Sequence, residues 1–132
     1  MTTTAIAPPV AIAPPVSLYE EIGGRAALTA VVDVFYRRLL ADPELSWLFT
    51  VGVGVRHRAF VVTALGQALG GPERYWGPLL ADAHRDLGIT DAQFYRAAAH
   101  LSSAMGELGV PRPLADQVIV IVAKLRWAIV TA

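Results

Sequence analysis

Residues 26–43 read AALTAVVDVFYRRLLADP, the run with the clearest helical period in the chain. Apolar side chains recur there at intervals of three and four residues, at positions 28, 31, 32, 35, 36, 39 and 40. This interval places them on one face of an α-helix. The Asp-Pro pair at 42–43 ends the helix, because the residue before a proline avoids helical dihedral angles. We therefore expect an amphipathic helix over residues 26–41 with one buried face.

Two further helix starts carry the pattern of a capping box, a hydroxyl side chain followed three residues later by Glu or Gln. Ser17 with Glu20 begins a short helix, which the following diglycine interrupts. Thr90 with Gln93 begins a long helix. Both pairs satisfy backbone N–H groups that the first turn of a helix leaves without partners.

Helical spacing continues through the rest of the chain. Further helices are predicted over residues 56–69, 78–85, 91–108 and 113–130. The β-branched residues of 113–130 favour a strand on propensity, but the length of this segment and its apolar spacing favour a single helix. No strand pair or alternation of strands with helices is recognisable, so the predicted fold class is all-α.

Composition restricts the number of domains and the kinds of partner. The chain has 132 residues, 55% of them hydrophobic, with 11 basic and 11 acidic residues and a net charge of zero. We expect one compact domain. We do not expect a nucleic-acid partner, because the chain has no excess of basic residues. The absence of cysteine excludes disulfides, thiolate metal sites and cysteine nucleophiles.

The first sixteen residues differ from the rest. The hexapeptide AIAPPV stands at 5–10 and again at 11–16. Its prolines favour polyproline II or a disordered leader, either as a ligand for a proline-recognising module or with no role of its own. We therefore expect a leader over 1–16 and one folded domain over 17–132.

No segment resembles a membrane anchor or a secretory signal. The apolar run over 118–123 stops at Lys124, far short of the roughly 20 residues that span a bilayer. The leader lacks the basic start of a signal peptide. A cytoplasmic protein without a membrane partner is expected.

Three ring side chains with polar atoms are predicted on the apolar faces of different helices. His57, His84 and Tyr36 could together face a large flat cofactor with an axial metal, and haem iron needs one neutral imidazole as a permanent ligand. Taken singly, each also fits an ordinary place in the core. Trp47 is expected to anchor the core, and His100 is expected at the surface.

From about residue 17 to residue 130 the chain resembles the truncated haemoglobins, most closely those of group I. The resemblance implies a 2-on-2 sandwich of helices around a haem pocket that holds haem b. It rests on motifs that follow one another in order: SLYEEIGG (17–24), VVDVFYRRLLADPEL (31–45), LSWLF (45–49), ALGGPERY (68–75), LLADAHRDLGIT (79–90) and FYRAAAHLSSAMGELGVP (94–111).

The resemblance assigns roles to particular residues. His84 matches the proximal histidine that ligates the iron, Tyr36 the tyrosine whose hydroxyl faces the bound ligand, and Phe49 a phenylalanine that packs on the haem ring. His57 and Val61 stand where many group I members carry a distal glutamine. The other haem contacts expected are Tyr75, Leu80, Leu87, Ile89 and Phe94.

The distal side departs from the family pattern, so some roles stay open. His57 could donate to the bound ligand together with Tyr36, ligate the iron as a sixth ligand, or turn to solvent and meet a propionate. Where many relatives have a lysine near a propionate, this chain has Phe60. The alternative propionate partners are Arg56, Arg58, Arg85 and Tyr75.

The resemblance implies reversible binding of dioxygen, with carbon monoxide and nitric oxide as further ligands. One alternative is a nitric oxide dioxygenase, which would need an external reductase because no dinucleotide-binding motif is present. A haem-based sensor or peroxidase would use the same pocket. The remaining alternative is a helical interaction module without a cofactor.

Overall fold

The structure is a computed structural model that describes residues 16–49, 55–72, 74, 84 and 87–131. At positions 49 and 55–57 the description covers the backbone alone. In this part of the chain the regular elements are helices and no strand occurs, which confirms the all-α prediction. Nearly all of the AIAPPV leader and most of the predicted helix 78–85 lie outside the described residues.

The helices follow one another in a simple order. They are α1 (Leu18–Ile22), α2 (Gly24–Ala41), a 3₁₀ helix (Ser46–Phe49), α3 (Val55–Ala68), α4 (Asp91–Glu107), α5 (Arg112–Ala123) and α6 (Arg126–Ile129). Helix α2 packs against both α3 and α4, and α4 packs against α5. The central helix is therefore the one that the apolar pattern at 26–41 predicts.

A glycine separates the first two helices, as the sequence predicts. Gly23 has a φ of +115°, a backbone conformation that side chains with a Cβ rarely adopt. Its N–H donates to the carbonyl of Glu20 at 3.1 Å and so ends α1. At the other end of α1, the Ser17 hydroxyl accepts from the N–H of Glu20 at 3.1 Å, as a cap should.

The capping box predicted at the start of α4 is present in full. The N–H of Gln93 donates to the Thr90 hydroxyl at 3.1 Å, and the N–H of Thr90 donates to Gln93 Oε1 at 3.0 Å. Two donors that the first turn would leave unpaired are thereby satisfied. This cap fixes the point at which α4 leaves the segment that follows His84.

The prediction of one helix over 113–130 is wrong. Helix α5 ends at Ala123, and α6 starts after a turn at Lys124 and Leu125. The N–H groups of Lys124 and Leu125 reach back three residues, to Ile121 at 3.2 Å and Val122 at 2.9 Å. Hydrogen bonds that span three residues tighten the last turn of the helix, and the chain changes direction there. The turn buries Ala128 and leaves Trp127 76% exposed.

Apolar side chains from all the longer helices form one core. Its fully buried members include Leu28, Val31, Val32, Leu45 and Met105. Trp47 is not an anchor as expected: it is 50% exposed, and its indole N–H donates to the Glu44 carbonyl at 3.1 Å. The neighbouring Leu45 fills the core instead. In the described ranges no helix has the length and hydropathy needed to cross a membrane.

Candidate functional site

His84 lies on helical backbone and its side chain is half-buried. Its carbonyl accepts a hydrogen bond from the N–H of Leu87 at 3.2 Å. This bond closes a turn immediately after the histidine. Gly88, with a φ of +63°, then takes the chain away from the helix.

The segment after His84 is held firmly at its far end. The carbonyl of Ile89 accepts from the N–H of Thr131 at 2.9 Å, and Arg126 of α6 forms an ion pair with Asp91, the first residue of α4. The residues at 89–91 that lead into α4 are thus held against α6 and Thr131.

Of the apolar residues predicted to line a haem pocket in this region, two are deeply buried. Ile89 is 7% exposed and Phe94, on the first turn of α4, is 4% exposed. Leu87 is 39% exposed, more than we expect for a residue in a closed wall. Ile89 and Phe94 are therefore the buried apolar side chains of the segment that follows His84.

Tyr36 lies in the middle of α2 and is 2% exposed. The ring of Phe35 meets it edge-on, with the ring centroids 5.8 Å apart. Burial raises the pKa of the phenol above its usual value, and the nearby charge of Arg58 opposes that rise in pKa. The hydroxyl consequently keeps its proton at physiological pH and remains a hydrogen-bond donor.

Helix α3 brings Arg58 to Tyr36 and places Val61 against the same core. The guanidinium carbon of Arg58 lies 5.4 Å from the centroid of the Tyr36 ring, and Val61 is half-buried against the core that contains Tyr36. Arg58 also pairs with Asp33, with Nη1 3.4 Å from Oδ1. Arg58, one of the alternative propionate partners, thus lies at the contact between α2 and α3.

Other predicted site residues lie where the structure gives no account of their side chains. These are Phe49, Arg56, His57, Tyr75, Leu80 and Arg85. The parts of the candidate site that the structure describes are the segment around His84 and the contacts of Tyr36 with Phe35 and Arg58.

A half-buried imidazole such as that of His84 is the kind of protein ligand that a haem iron needs. In the described part of the chain no group of three or more His, Cys, Asp or Glu side chains could hold an ion. A bare zinc ion takes three or four protein ligands, whereas the iron of haem takes four nitrogens from the porphyrin and needs one from the protein. A single half-buried imidazole followed by buried apolar side chains meets that need.

A polar cluster around the buried carboxylate of Asp42 was missed by the sequence analysis. Asp42 is 5% exposed, and its carboxylate meets Arg96 through Oδ2 to Nε at 2.5 Å and through Oδ1 to Nη2 at 2.9 Å. His100 Nε2 lies 2.7 Å from Oδ2, so the expectation that His100 is a surface residue is wrong. The hydrogen bonds from Arg96 and then His100 hold the pKa of the Asp42 carboxyl well below its usual range.

One signal for this cluster was available in the sequence. Arg96 and His100 are four residues apart and so share a face of α4, but nothing local indicates which carboxylate meets them. The cluster borders a surface cleft of about 380 Å³, and no predicted haem residue lines that cleft. We therefore regard the cluster as a structural contact between α2 and α4.

Comparison with known proteins places these features in a family. A model of the family "Bacterial-like globin" matches residues 17–131. The group 1 truncated haemoglobin GlbN of Mycolicibacterium paratuberculosis is 39% identical over 119 residues, which are 90% of this chain and 88% of the relative.

Solved structures agree with the sequence comparison. The 2/2 haemoglobin of a Synechococcus species, in the cyanomet state and with covalently attached haem, superimposes with a TM-score of 0.82 at 32% identity, covering 89% of this chain and 100% of that one. The Fe(III) truncated haemoglobin of Tetrahymena pyriformis gives a TM-score of 0.83 at 25% identity, covering 87% and 98%. The chain therefore belongs to the bacterial-like globins, among the group I truncated haemoglobins, and is a haem-binding globin with the 2-on-2 helical fold.

Proposed function

We propose that this chain binds dioxygen reversibly at a haem b whose iron is ligated by His84, with Tyr36 as the main donor to the bound ligand. The observation that carries the proposal is the half-buried imidazole of His84, which is followed along the chain by the buried side chains of Ile89 and Phe94. Membership of a haem-binding family removes the reason for considering a module without a cofactor.

Haem b supplies, when bound, an iron that takes up diatomic gases in its ferrous state. The protein contributes the environment of that iron. His84 would donate one ring nitrogen to it, and Ile89 and Phe94 would exclude water from that side. A dry, apolar pocket slows oxidation and strengthens each hydrogen bond within it.

Tyr36 would stabilise the ligand by donating its hydroxyl proton in a hydrogen bond. Because burial keeps the phenol protonated, the donor is present over the whole physiological pH range. One hydrogen bond of this kind contributes roughly 1–3 kcal/mol, or about 5- to 150-fold in the rate of ligand release. Val61 is apolar and would shape the cavity without donating.

The other assigned contacts are part of the proposal. Phe49 would pack on the haem ring, and His57 would act as a second distal donor. The remaining contacts would be Tyr75, Leu80 and Leu87. The alternatives for His57, iron ligation or a propionate contact, predict different resting spectra, because a sixth ligand changes the visible bands of the unliganded ferrous protein.

The test compares the oxygen dissociation rate of the wild type with that of Tyr36→Phe. Tyr95→Phe is the matched control, since Tyr95 is 54% exposed and loses the same hydroxyl. We expect about 5- to 150-fold faster release in Tyr36→Phe and less than about twofold change in the control. An unchanged rate in Tyr36→Phe would remove the phenol from the mechanism.

The same preparation distinguishes oxygen carriage from nitric oxide dioxygenation. A carrier releases dioxygen unchanged when the oxygen pressure is lowered. A dioxygenase would consume nitric oxide over many turnovers when an external reductase is added, and would stop after one turnover without it. Sustained consumption with the reductase would replace our proposal with the dioxygenase.

A further inference from the structure

Arg58 occupies an unusual position for a charged side chain. It lies on α3 with its guanidinium carbon 5.4 Å from the centroid of the Tyr36 ring, and its side chain is 32% exposed. Tyr36 itself is almost fully buried. A positive charge therefore stands over the aromatic face of the proposed ligand donor.

The other contacts of Arg58 do not account for this position. Nη1 is 3.4 Å from Asp33 Oδ1, but the Asp33 side chain is 57% exposed, and ion pairs in such settings stabilise little. The Nε atom of Arg58 is buried and has no hydrogen-bond partner among the residues that the structure describes. Burying an N–H donor without an acceptor is unfavourable, and among the described residues the face of the Tyr36 ring is the contact that offsets this cost.

A cation in this place has two effects on the phenol. It attracts negative charge toward the ring and the oxygen, which makes the hydroxyl a stronger hydrogen-bond donor. Its contact with one face also restricts rotation and tilting of the ring, while the edge of Phe35 restricts another side. Both effects act on the direction and strength of the bond that the hydroxyl donates.

We propose that Arg58 is a positioning residue for the Tyr36 hydroxyl, and that it strengthens the hydrogen bond from Tyr36 to the gas bound at the haem. This inference rests on the proposed function, because it requires Tyr36 to be the ligand donor. It assigns to Arg58 a role in ligand retention instead of a contact with a propionate.

The test is a double-mutant cycle on the oxygen dissociation rate of the haem protein. Arg58→Met removes the charge and keeps the aliphatic length, and Arg58→Gln is a second neutral variant with a different packing demand. Each is made in the wild type and in Tyr36→Phe. Arg37→Met is the matched control, since Arg37 lies on α2, is 66% exposed and pairs with Glu107.

We expect both neutral variants to release oxygen about three- to tenfold faster in the wild-type background and less than about twofold faster in Tyr36→Phe. The C–O stretching frequency of the carbon monoxide complex should rise in both, as it does when a donor to the ligand weakens. Arg58→Lys, which retains a charge, should recover part of the wild-type rate. An equal acceleration in both backgrounds, or none in either, would overturn the proposal.

A measurement that needs no haem distinguishes a failure of the coupling between Arg58 and Tyr36 from a failure of the proposed function. In protein labelled with ¹³Cζ-tyrosine, Arg58→Met should shift the ¹³Cζ signal of Tyr36 at neutral pH, and Arg37→Met should leave that signal in place. If the chain takes up no haem but this shift occurs, the coupling between Arg58 and Tyr36 stands and the proposed function fails. If haem binds and the ¹³Cζ signal of Tyr36 does not respond to Arg58→Met, the coupling is refuted.

Discussion

His100 Nε2 lies 2.7 Å from Asp42 Oδ2, across 58 residues of sequence. The carboxylate is ionised at neutral pH, so the ring nitrogen must donate its proton to it. Arg96, one turn before His100, donates to both oxygens of the same carboxylate. Because Asp42 directly follows α2, this contact fixes the end of the helix that carries Tyr36 against α4.

Loss of the Asp42 charge should destabilise the protein in a pH-dependent way. Asp42→Asn should lower the melting temperature at pH 7 by roughly 5 °C or more, because it leaves Arg96 and His100 without their carboxylate. The folded-state pKa of Asp42 is depressed, so its stabilising effect is present above the unfolded-state pKa of about 4 and is lost as the pH falls below it.

Thermal unfolding at several pH values measures this effect. The difference between wild type and Asp42→Asn should be largest above pH 5 and should shrink on acidification below about pH 4. Asp116→Asn serves as the control, since Asp116 is exposed and pairs within one helix turn with Arg112. A difference that does not change with pH would refute the charged role of Asp42.

The cap at Thr90 should have a measurable effect on stability. Thr90→Ala removes the hydroxyl that accepts from the N–H of Gln93 and should reduce the free energy of unfolding by about 1 kcal/mol. Thr90→Ser retains an acceptor and should remain within a few tenths of a kcal/mol of the wild type. Urea unfolding of the three proteins checks this, and equal midpoints would show that the cap contributes nothing.

Replacing a glycine by alanine should change the stability of the protein in opposite directions at two positions. Gly23→Ala places a Cβ 2.8 Å from the Cβ of Ala27 at a φ of +115°, and should destabilise by about 1–2 kcal/mol or more. Gly106→Ala lies within α4 with open space around its Cβ, and should stabilise by about 0.5–1 kcal/mol. Unfolding midpoints measure both, and a neutral Gly23→Ala would contradict the strained turn.

The phenol of Tyr36 should resist ionisation. Because burial raises its pKa in the folded state, the contribution of Tyr36 to stability is complete below the unfolded-state pKa of about 10 and is lost as the pH rises through the folded-state pKa. In ¹³Cζ-tyrosine spectra of the carbon monoxide complex, the signal absent from Tyr36→Phe should not shift as the pH passes 10. A shift at or below pH 10 would contradict the buried donor.

Local signals in the sequence predicted the helices well. The apolar period at 26–41, the diglycine after Ile22 and the hydroxyl of Thr90 each act within a few residues, so their effects can be derived without a fold. The prediction of a single helix over 113–130 is wrong because the turn at Lys124 depends on contacts with distant parts of the chain. One of these contacts is the hydrogen bond from the N–H of Thr131 to the carbonyl of Ile89.

Contacts between distant segments could not be predicted in the same way. The partner of Asp42 stands 54 residues away, and a carboxylate after a helix has many possible cations. The position of Arg58 over Tyr36 likewise depends on how α2 crosses α3. The roles of His84 and Tyr36 come from the resemblance, since spacing alone leaves each as an ordinary core residue.

The absorption spectrum of the ferrous protein with and without carbon monoxide, measured for wild type and His84→Gly after addition of hemin, tests the central claim most directly. His100→Gln is the control, because His100 is engaged with Asp42. The wild type and the control should show a Soret band that shifts with carbon monoxide, whereas His84→Gly should lack it or require added imidazole. Wild-type haem affinity and an unaltered spectrum in His84→Gly without imidazole would contradict the assignment of His84 as the iron ligand.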